Sequence, residues 1–158
     1  MRNIVLRDVI DSDLPVFFEY QRDREANYMA AFTSKDPNDW GLFAAHWDKI
    51  LADKNIIKQT IIVQDNVVGH VLCFEQFGKP EVSYWIGRRY WGQGIATKAL
   101  QKFLNHVTIR PLYARAAKDN IGSLKVLERC GFTISGEDSG FSNARGEDVE
   151  EFVLILLV

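Results

Sequence analysis

The stretch that most constrains this chain is Glu81-Val82-Ser83-Tyr84-Trp85-Ile86, running into Arg89-Tyr90-Trp91-Gly92-Gln93-Gly94-Ile95-Ala96-Thr97-Lys98-Ala99-Leu100. The first part reads as a strand. The last part opens an amphipathic helix that would bury Ile95, Ala96, Ala99, Leu100, Phe103 and Leu104. A strand that enters a helix through two glycines leaves the first helical N–H groups bare. Those groups have no acceptor inside the helix, and the helix dipole adds partial positive charge beside them. A phosphate group suits such a place. The turn alone is not specific, since a glycine pair before a helix also serves close packing or a plain tight turn.

Two common phosphate-binding readings fail on spacing. A dinucleotide fold needs a third glycine, where this chain has Thr97, and it needs the glycines after the first strand. No Walker lysine pattern is present. A formal net charge of -2 argues against a broad nucleic-acid surface, although Arg88, Arg89 and Lys98 make the glycine turn locally basic. Cys73 and Cys130 stand far apart with no histidine near either, so no metal site is expected. They read as two buried thiols of a reducing compartment, the alternative being one disulfide. The stretch Met1–Asp8 lacks the apolar core of a signal peptide, and no apolar run approaches the ~20 residues of a membrane span. The chain therefore reads as cytoplasmic and soluble, with no membrane and no nucleic-acid partner.

The remaining pattern predicts one continuous α/β domain over residues 1–158. Ile4–Arg7 is a first strand, and Asp11-Ser12-Asp13 offers caps for a helix through Tyr20. Asp36-Pro37-Asn38-Asp39 starts a second helix carrying Trp40, Phe43, Trp47 and Leu51. Strands over 56–63 and 67–74 flank a turn at Gln64-Asp65-Asn66, and Glu81–Ile86 continues the meander. After the glycine-turn helix come a strand at 112–116 and a helix capped by Asp119-Asn120 and stopped at Gly131. Strands at 132–134 and 149–157 finish the order β-α-α-β-β-β-α-β-α-β-β. Asn27–Phe32 is apolar within a loop-like region, so it either lines a pocket or packs on the sheet. Phe141–Glu147 is a turn-rich connection that would wall the opposite side.

A second constellation lies one strand beyond the glycine turn: Asn120-x-x-Ser123-x-x-x-Leu127-Glu128-Arg129-Cys130-Gly131-Phe132. Together with Tyr84-Trp85-Ile86-Gly87 and Arg89-x-x-Gly92-x-Gly94, it resembles the GNAT superfamily of acetyl-CoA-dependent N-acetyltransferases, in particular its RimJ/RimL-like branch. The resemblance implies a mixed, mostly antiparallel sheet of about seven strands, splayed in the middle and flanked by about four helices. Acetyl-CoA would enter the gap between the strands at 81–87 and 112–118. Backbone groups of Trp85, Ile86 and Gly87 would pair with its pantetheine arm. The N–H groups of Arg89, Gly92, Gln93, Gly94, Ile95, Ala96 and Thr97 would hold its pyrophosphate.

The resemblance also implies roles for two polar residues of the next helix. Asn120 would bond the arm while capping its helix. Ser123 would protonate the leaving thiolate, although a helical serine also bonds back to its own backbone. Many members use a tyrosine seven residues after the asparagine, and Leu127 stands there, so that acid is excluded. For the base that takes the amine's proton, Glu81 at the strand start is one candidate, set against a solvated strand-edge charge. His70, expected to face the same cleft, is another. The implied activity is direct acetyl transfer, in a ternary complex, to a primary amine of a small molecule or a peptide or protein N-terminus. The different reading is a non-catalytic acyl-CoA-binding sensor on the same fold. Family members are often dimers, so a homodimer fits the resemblance.

Overall fold

The computed structural model describes residues 3–158, so Met1 and Arg2 of the N-terminal stretch lie outside the described residues. The β-branched runs pair as their alternation demands. Strands β1 (Ile4–Asp8), β2 (Ile57–Val63), β3 (Asn66–Gln76) and β4 (Lys79–Ile86) pair antiparallel in sequence along one half of the sheet. The turn between β2 and β3 closes tightly because Gln64 and Asp65 both take positive φ, 50° and 65°. Strands β5 (Leu112–Ala117), β6 (Thr133–Ser142) and β7 (Glu147–Leu156) form the other antiparallel half, and the seven strands run β1-β2-β3-β4-β5-β7-β6.

The two halves meet at the parallel neighbours β4 and β5, and they meet at one register pair, Glu81 with Tyr113. By contrast β3 and β4 stay in register from Gln76–Lys79 to Gly69–Ile86. Beyond Glu81 the sheet therefore parts, and the edges of β4 and β5 face an open wedge. Gly69 supports that wedge from behind, because a Cβ there would run into the backbone carbonyl of Trp85.

Among the described residues five α-helices cover the sheet: α1 (Leu14–Gln21), α2 (Arg24–Ala30), α3 (Trp40–Ala52), α4 (Ile95–His106) and α5 (Ile121–Arg129). On one face α4 and α5 bury Ile95, Leu100, Phe103 and Leu127 against Ile61, Val71, Val82 and Leu154. On the other face α1 and α3 bury Phe17, Trp47 and Ile50 against Leu72. This second layer is pinned by Asp13, which is 2% exposed, accepts both Arg7 guanidinium bonds at 2.7 and 2.8 Å, and takes the Thr60 hydroxyl at 2.6 Å.

Two expectations need correction. The region of Asn27–Phe32 is not a loop: residues 24–30 are helix α2, giving five helices rather than four. Asp23 caps it by accepting the Ala26 N–H at 3.0 Å, and it stops at Ala31, where φ reaches 66°. The strand expected at 132–134 runs on to Ser142, so Phe141 and Ser142 belong to β6 rather than to the connection. β6 is rich in exposed Glu, Asp and Ser with half-exposed Gly, and its strand form comes from pairing with β7 rather than from propensity. Both cysteines are free thiols, Cys73 buried and Cys130 half-buried.

Candidate functional site

The wedge between β4 and β5 opens into a cleft of about 640 Å³, within the usual range for small-molecule and cofactor sites. Its walls are Val82–Ile86 of β4, Ala114–Ala116 of β5, the turn and first residues of α4, Asn120 and the length of α5, and one face of α2. Trp85, Ile86, Gly92, Gly94, Ile95, Ala96, Thr97, Asn120 and Ser123 all stand on this wall. Residues far apart in sequence are thus brought to one place.

The glycine turn has the predicted geometry. Gly92 and Gly94 take φ of 74° and 76°, a region that L side chains adopt only at a cost. Gly94 is the N-cap of α4 and brings no side chain to satisfy the N–H groups behind it. The carbonyl of Gly94 accepts the Lys98 N–H at 3.2 Å, so the helix starts cleanly. Trp91 braces the turn by donating its indole N–H to the Ile86 carbonyl at 2.9 Å. Tyr90, also on the wall, packs edge-on to Tyr20 with ring centres 6.3 Å apart.

Three residues expected at the cofactor lie off this wall. The Gly87 N–H already donates to the Val68 carbonyl at 2.9 Å, and its carbonyl accepts the Tyr90 N–H at 2.8 Å. Those bonds leave Gly87 no backbone group for an added strand. The Arg89 guanidinium lies over the Tyr90 ring, 5.1 Å from its centre. Gln93 turns its side-chain amide back to the Arg89 carbonyl at 3.2 Å.

On the opposite wall α5 begins at Asn120. Its side-chain oxygen accepts the Ser123 N–H at 3.2 Å, so the asparagine caps the helix. Ser123 follows in the first turn, and its hydroxyl lies 2.9 Å from the phenol oxygen of Tyr84. The alternation of β4 places Tyr84 with Val82 and Ile86 on the α4–α5 face, as the sequence implies. The hydroxyl pairing itself was not legible, because it joins residues 39 positions apart. Leu127 is buried in the core and carries no polar atom into the cleft.

Both candidate bases are withdrawn from the wall. Glu81 sits at the closed end of the wedge, 6% exposed. One carboxylate oxygen is 3.4 Å from the Arg115 guanidinium, and the other accepts the Gln76 amide at 2.9 Å. Burial pushes its pKa up; Arg115 opposes that rise and Glu151 adds to it. Arg115 itself lines the cleft, and also holds Glu151 at 2.6 Å and Asp138 at 3.0 Å. Asp13 shows the contrast: burial would raise it too, but Arg7, Thr60 and the Ile10 N–H together hold it below the usual range. His70 does not face the cleft. Its ring packs on Phe17 and Trp47 at 4.7 and 5.0 Å, and burial drives its pKa down to about 3.

Of Asn27–Phe32, offered as pocket lining or sheet packing, Met29 and Ala30 do line the cleft; the helix that carries them, with Glu25 and Ala26 on the same wall, was missed. Arg88 ties this helix to the end of β4, 2.7 Å from Asp23 and 2.6 Å from Glu25. The Asp23 cap was the available signal. Among the described residues no group of acidic, cysteine and histidine side chains is placed to hold a metal, and no helix is long and apolar enough to cross a membrane.

Residues 3–133 match the family profile described as "Acetyltransferase (GNAT) domain". The uncharacterized N-acetyltransferase p20 of Bacillus licheniformis is 27% identical over 109 residues, 65% of this chain and 59% of that protein. The ribosomal-protein-serine acetyltransferase of Escherichia coli K12 is 30% identical over 106 residues, 61% of this chain and 59% of that protein. The chain thus spans about three fifths of the length of these two curated relatives. Among solved structures, the microcin C7 self-immunity acetyltransferase MccE, in complex with acetyl-CoA and AMP, superposes with a TM-score of 0.80. It does so at 17% identity over 98% of this chain and 92% of that one, which establishes a shared fold.

Proposed function

Because the chain belongs to the GNAT acetyltransferase family, we propose that it moves the acetyl group of acetyl-CoA to a primary amine by direct attack in a ternary complex. The observation that carries this reading is the wedge between β4 and β5, flanked by the uncapped start of α4 and by Ser123. The bare N–H groups of Ile95, Ala96 and Thr97 suit the pyrophosphate, and the open side of β4 at Trp85 and Ile86, where the Ile86 carbonyl also holds the Trp91 indole, suits the amide groups of the pantetheine arm. Asn120 would hold that arm beside its own helix. Gly87, Arg89 and Gln93 would act by shaping the turn rather than by touching the ligand.

In the reaction a neutral amine attacks the thioester carbonyl, and backbone N–H groups on the parted strand stabilise the oxyanion. The thiolate leaves and takes the Ser123 proton. The amine's surplus proton goes to Glu81 by way of water past Arg115, because the carboxylate is buried and held. A carboxyl whose pKa is raised above the ordinary range is a better base than a solvated one. The acceptor would enter along α2, between Met29 and Ala30 on one side and the β4 edge on the other. It is a small amine or a peptide or protein N-terminus, as in the RimJ/RimL-like branch, handled by residues 1–158 acting as one domain.

Thiol release from acetyl-CoA, measured with a panel of short peptides, polyamines and amino sugars, tests this reading. Turnover with one class, lowered about 100-fold in Ser123→Ala while acetyl-CoA still binds, is the expected result. Unaltered turnover in that variant would remove Ser123 from the chemistry. The withdrawal of Glu81 favours one second reading, a non-catalytic acyl-CoA sensor, for which acetyl-CoA would bind and no amine would be acetylated.

A further inference from the structure

Tyr84 and Ser123 approach from different elements, β4 and α5, and both stand on the cleft wall with their oxygens 2.9 Å apart. Each hydroxyl carries one proton, so one of them donates and the other accepts. A phenol is the stronger acid and the poorer acceptor of the two, so the Tyr84 O–H donates to Ser123 Oγ. Ser123's own proton is then left free to point elsewhere. Its backbone is fixed as well, because the Ser123 N–H is held by Asn120 at 3.2 Å.

We propose that Tyr84 is a positioning residue for thiolate protonation: its phenol holds Ser123 Oγ so that the serine proton is presented to the leaving sulfur. The inference rests on the role of Ser123 given above. As the tetrahedral intermediate collapses, the C–S bond breaks and its electron pair goes to sulfur. The Ser123 O–H proton moves to sulfur and makes the thiol. The serine oxygen, briefly anionic, keeps the Tyr84 hydrogen bond and regains a proton when Glu81 returns, by way of water, the one it took from the amine. Tyr84 itself loses no proton. Burial pushes its phenol up to about 12, so it stays a donor across the working pH range. Leu127, where many relatives of this fold would place an acid, lines the same cleft and contributes only apolar surface.

The test is Tyr84→Phe beside Ser123→Ala and the double variant. Each is checked for cooperative thermal unfolding and for acetyl-CoA affinity by calorimetry. Single-turnover thiol release is then followed with a short peptide amine and with water alone as acceptor. Tyr84→Phe should lower the rate about 10-fold, less than the ~100-fold expected for loss of the acid itself, with acetyl-CoA affinity changed less than twofold. The double variant should be no slower than Ser123→Ala, because the phenol acts only through the serine. An acetyl-CoA analogue fluorinated beside sulfur leaves as a more acidic thiol and should shrink the Tyr84→Phe deficit. A slowed Ser123→Ala beside an unaltered Tyr84→Phe overturns this inference alone, as do losses that multiply in the double variant. An unaltered Ser123→Ala overturns the serine reading, and this inference falls with it.

Discussion

Two helices begin on the walls of the same cleft, and they begin differently. α5 closes its own N-terminus, since Asn120 accepts the Ser123 N–H at 3.2 Å. α4 starts at Gly94, left-handed at φ 76°, with no side chain to do the same. A helix start that satisfies itself is a scaffold, and here it holds Ser123 at a fixed place. A helix start left bare keeps its N–H groups and its dipole for something else. The same physics applied twice thus separates the binding wall from the wall proposed to do chemistry.

The largest expected effect comes from filling the open start. Gly94→Glu puts a carboxylate where a phosphate is proposed, and no atom lies within 4 Å of the new Cβ, so the fold has room for it. Acetyl-CoA affinity should fall at least ~100-fold, about 2.7 kcal/mol, in calorimetry on a folded sample. Next is the closed end of the wedge. Since burial raises the Glu81 pKa, the wild-type rate should drop as pH falls through that raised value and the carboxylate becomes protonated. Glu81→Gln should lose that acid limb and about 100-fold in rate at neutral pH; a limb that survives in the variant would acquit Glu81.

Smaller effects compare the two starts by stability alone. Asn120→Ala should cost about 1 kcal/mol, a drop in Tm of about 3 °C, because α5 loses its cap. Gly94→Ala should cost a similar amount, about 1 kcal/mol, from its positive φ. The smallest change has the opposite sign: Gly122→Ala, inside α5 with its new Cβ 4.0 Å from the Asn120 oxygen, should stabilise by about 0.5 kcal/mol. Equal signs at Gly94 and Gly122 would erase the difference between the two starts.

The long apolar elements were legible because their periodicity is strong. β2, β3, α3, α4 and α5 fall where the spacing of Ile, Val, Leu and Phe puts them. The glycine turn was legible from Gly92 and Gly94 themselves. What the sequence hid depends on partners distant along the chain. β6 carries turn residues and becomes a strand only beside β7. α2 is short and announced chiefly by Asp23. The burial of Glu81 behind Arg115, the aromatic casing of His70 and the Tyr84–Ser123 pair are tertiary facts. Alternation placed Glu81 and Tyr84 on opposite faces of β4, but no local pattern says what waits on either face.

On the proposed reading the cleft between β4 and β5 takes acetyl-CoA with its pyrophosphate on the start of α4. Calorimetric titration of the folded protein with acetyl-CoA, with ATP and NAD as controls, tests it most directly. Saturable binding of acetyl-CoA is expected, tighter than either control and lost in Gly94→Glu. Failure of acetyl-CoA to bind the folded protein, or binding that Gly94→Glu leaves unaltered, would contradict it.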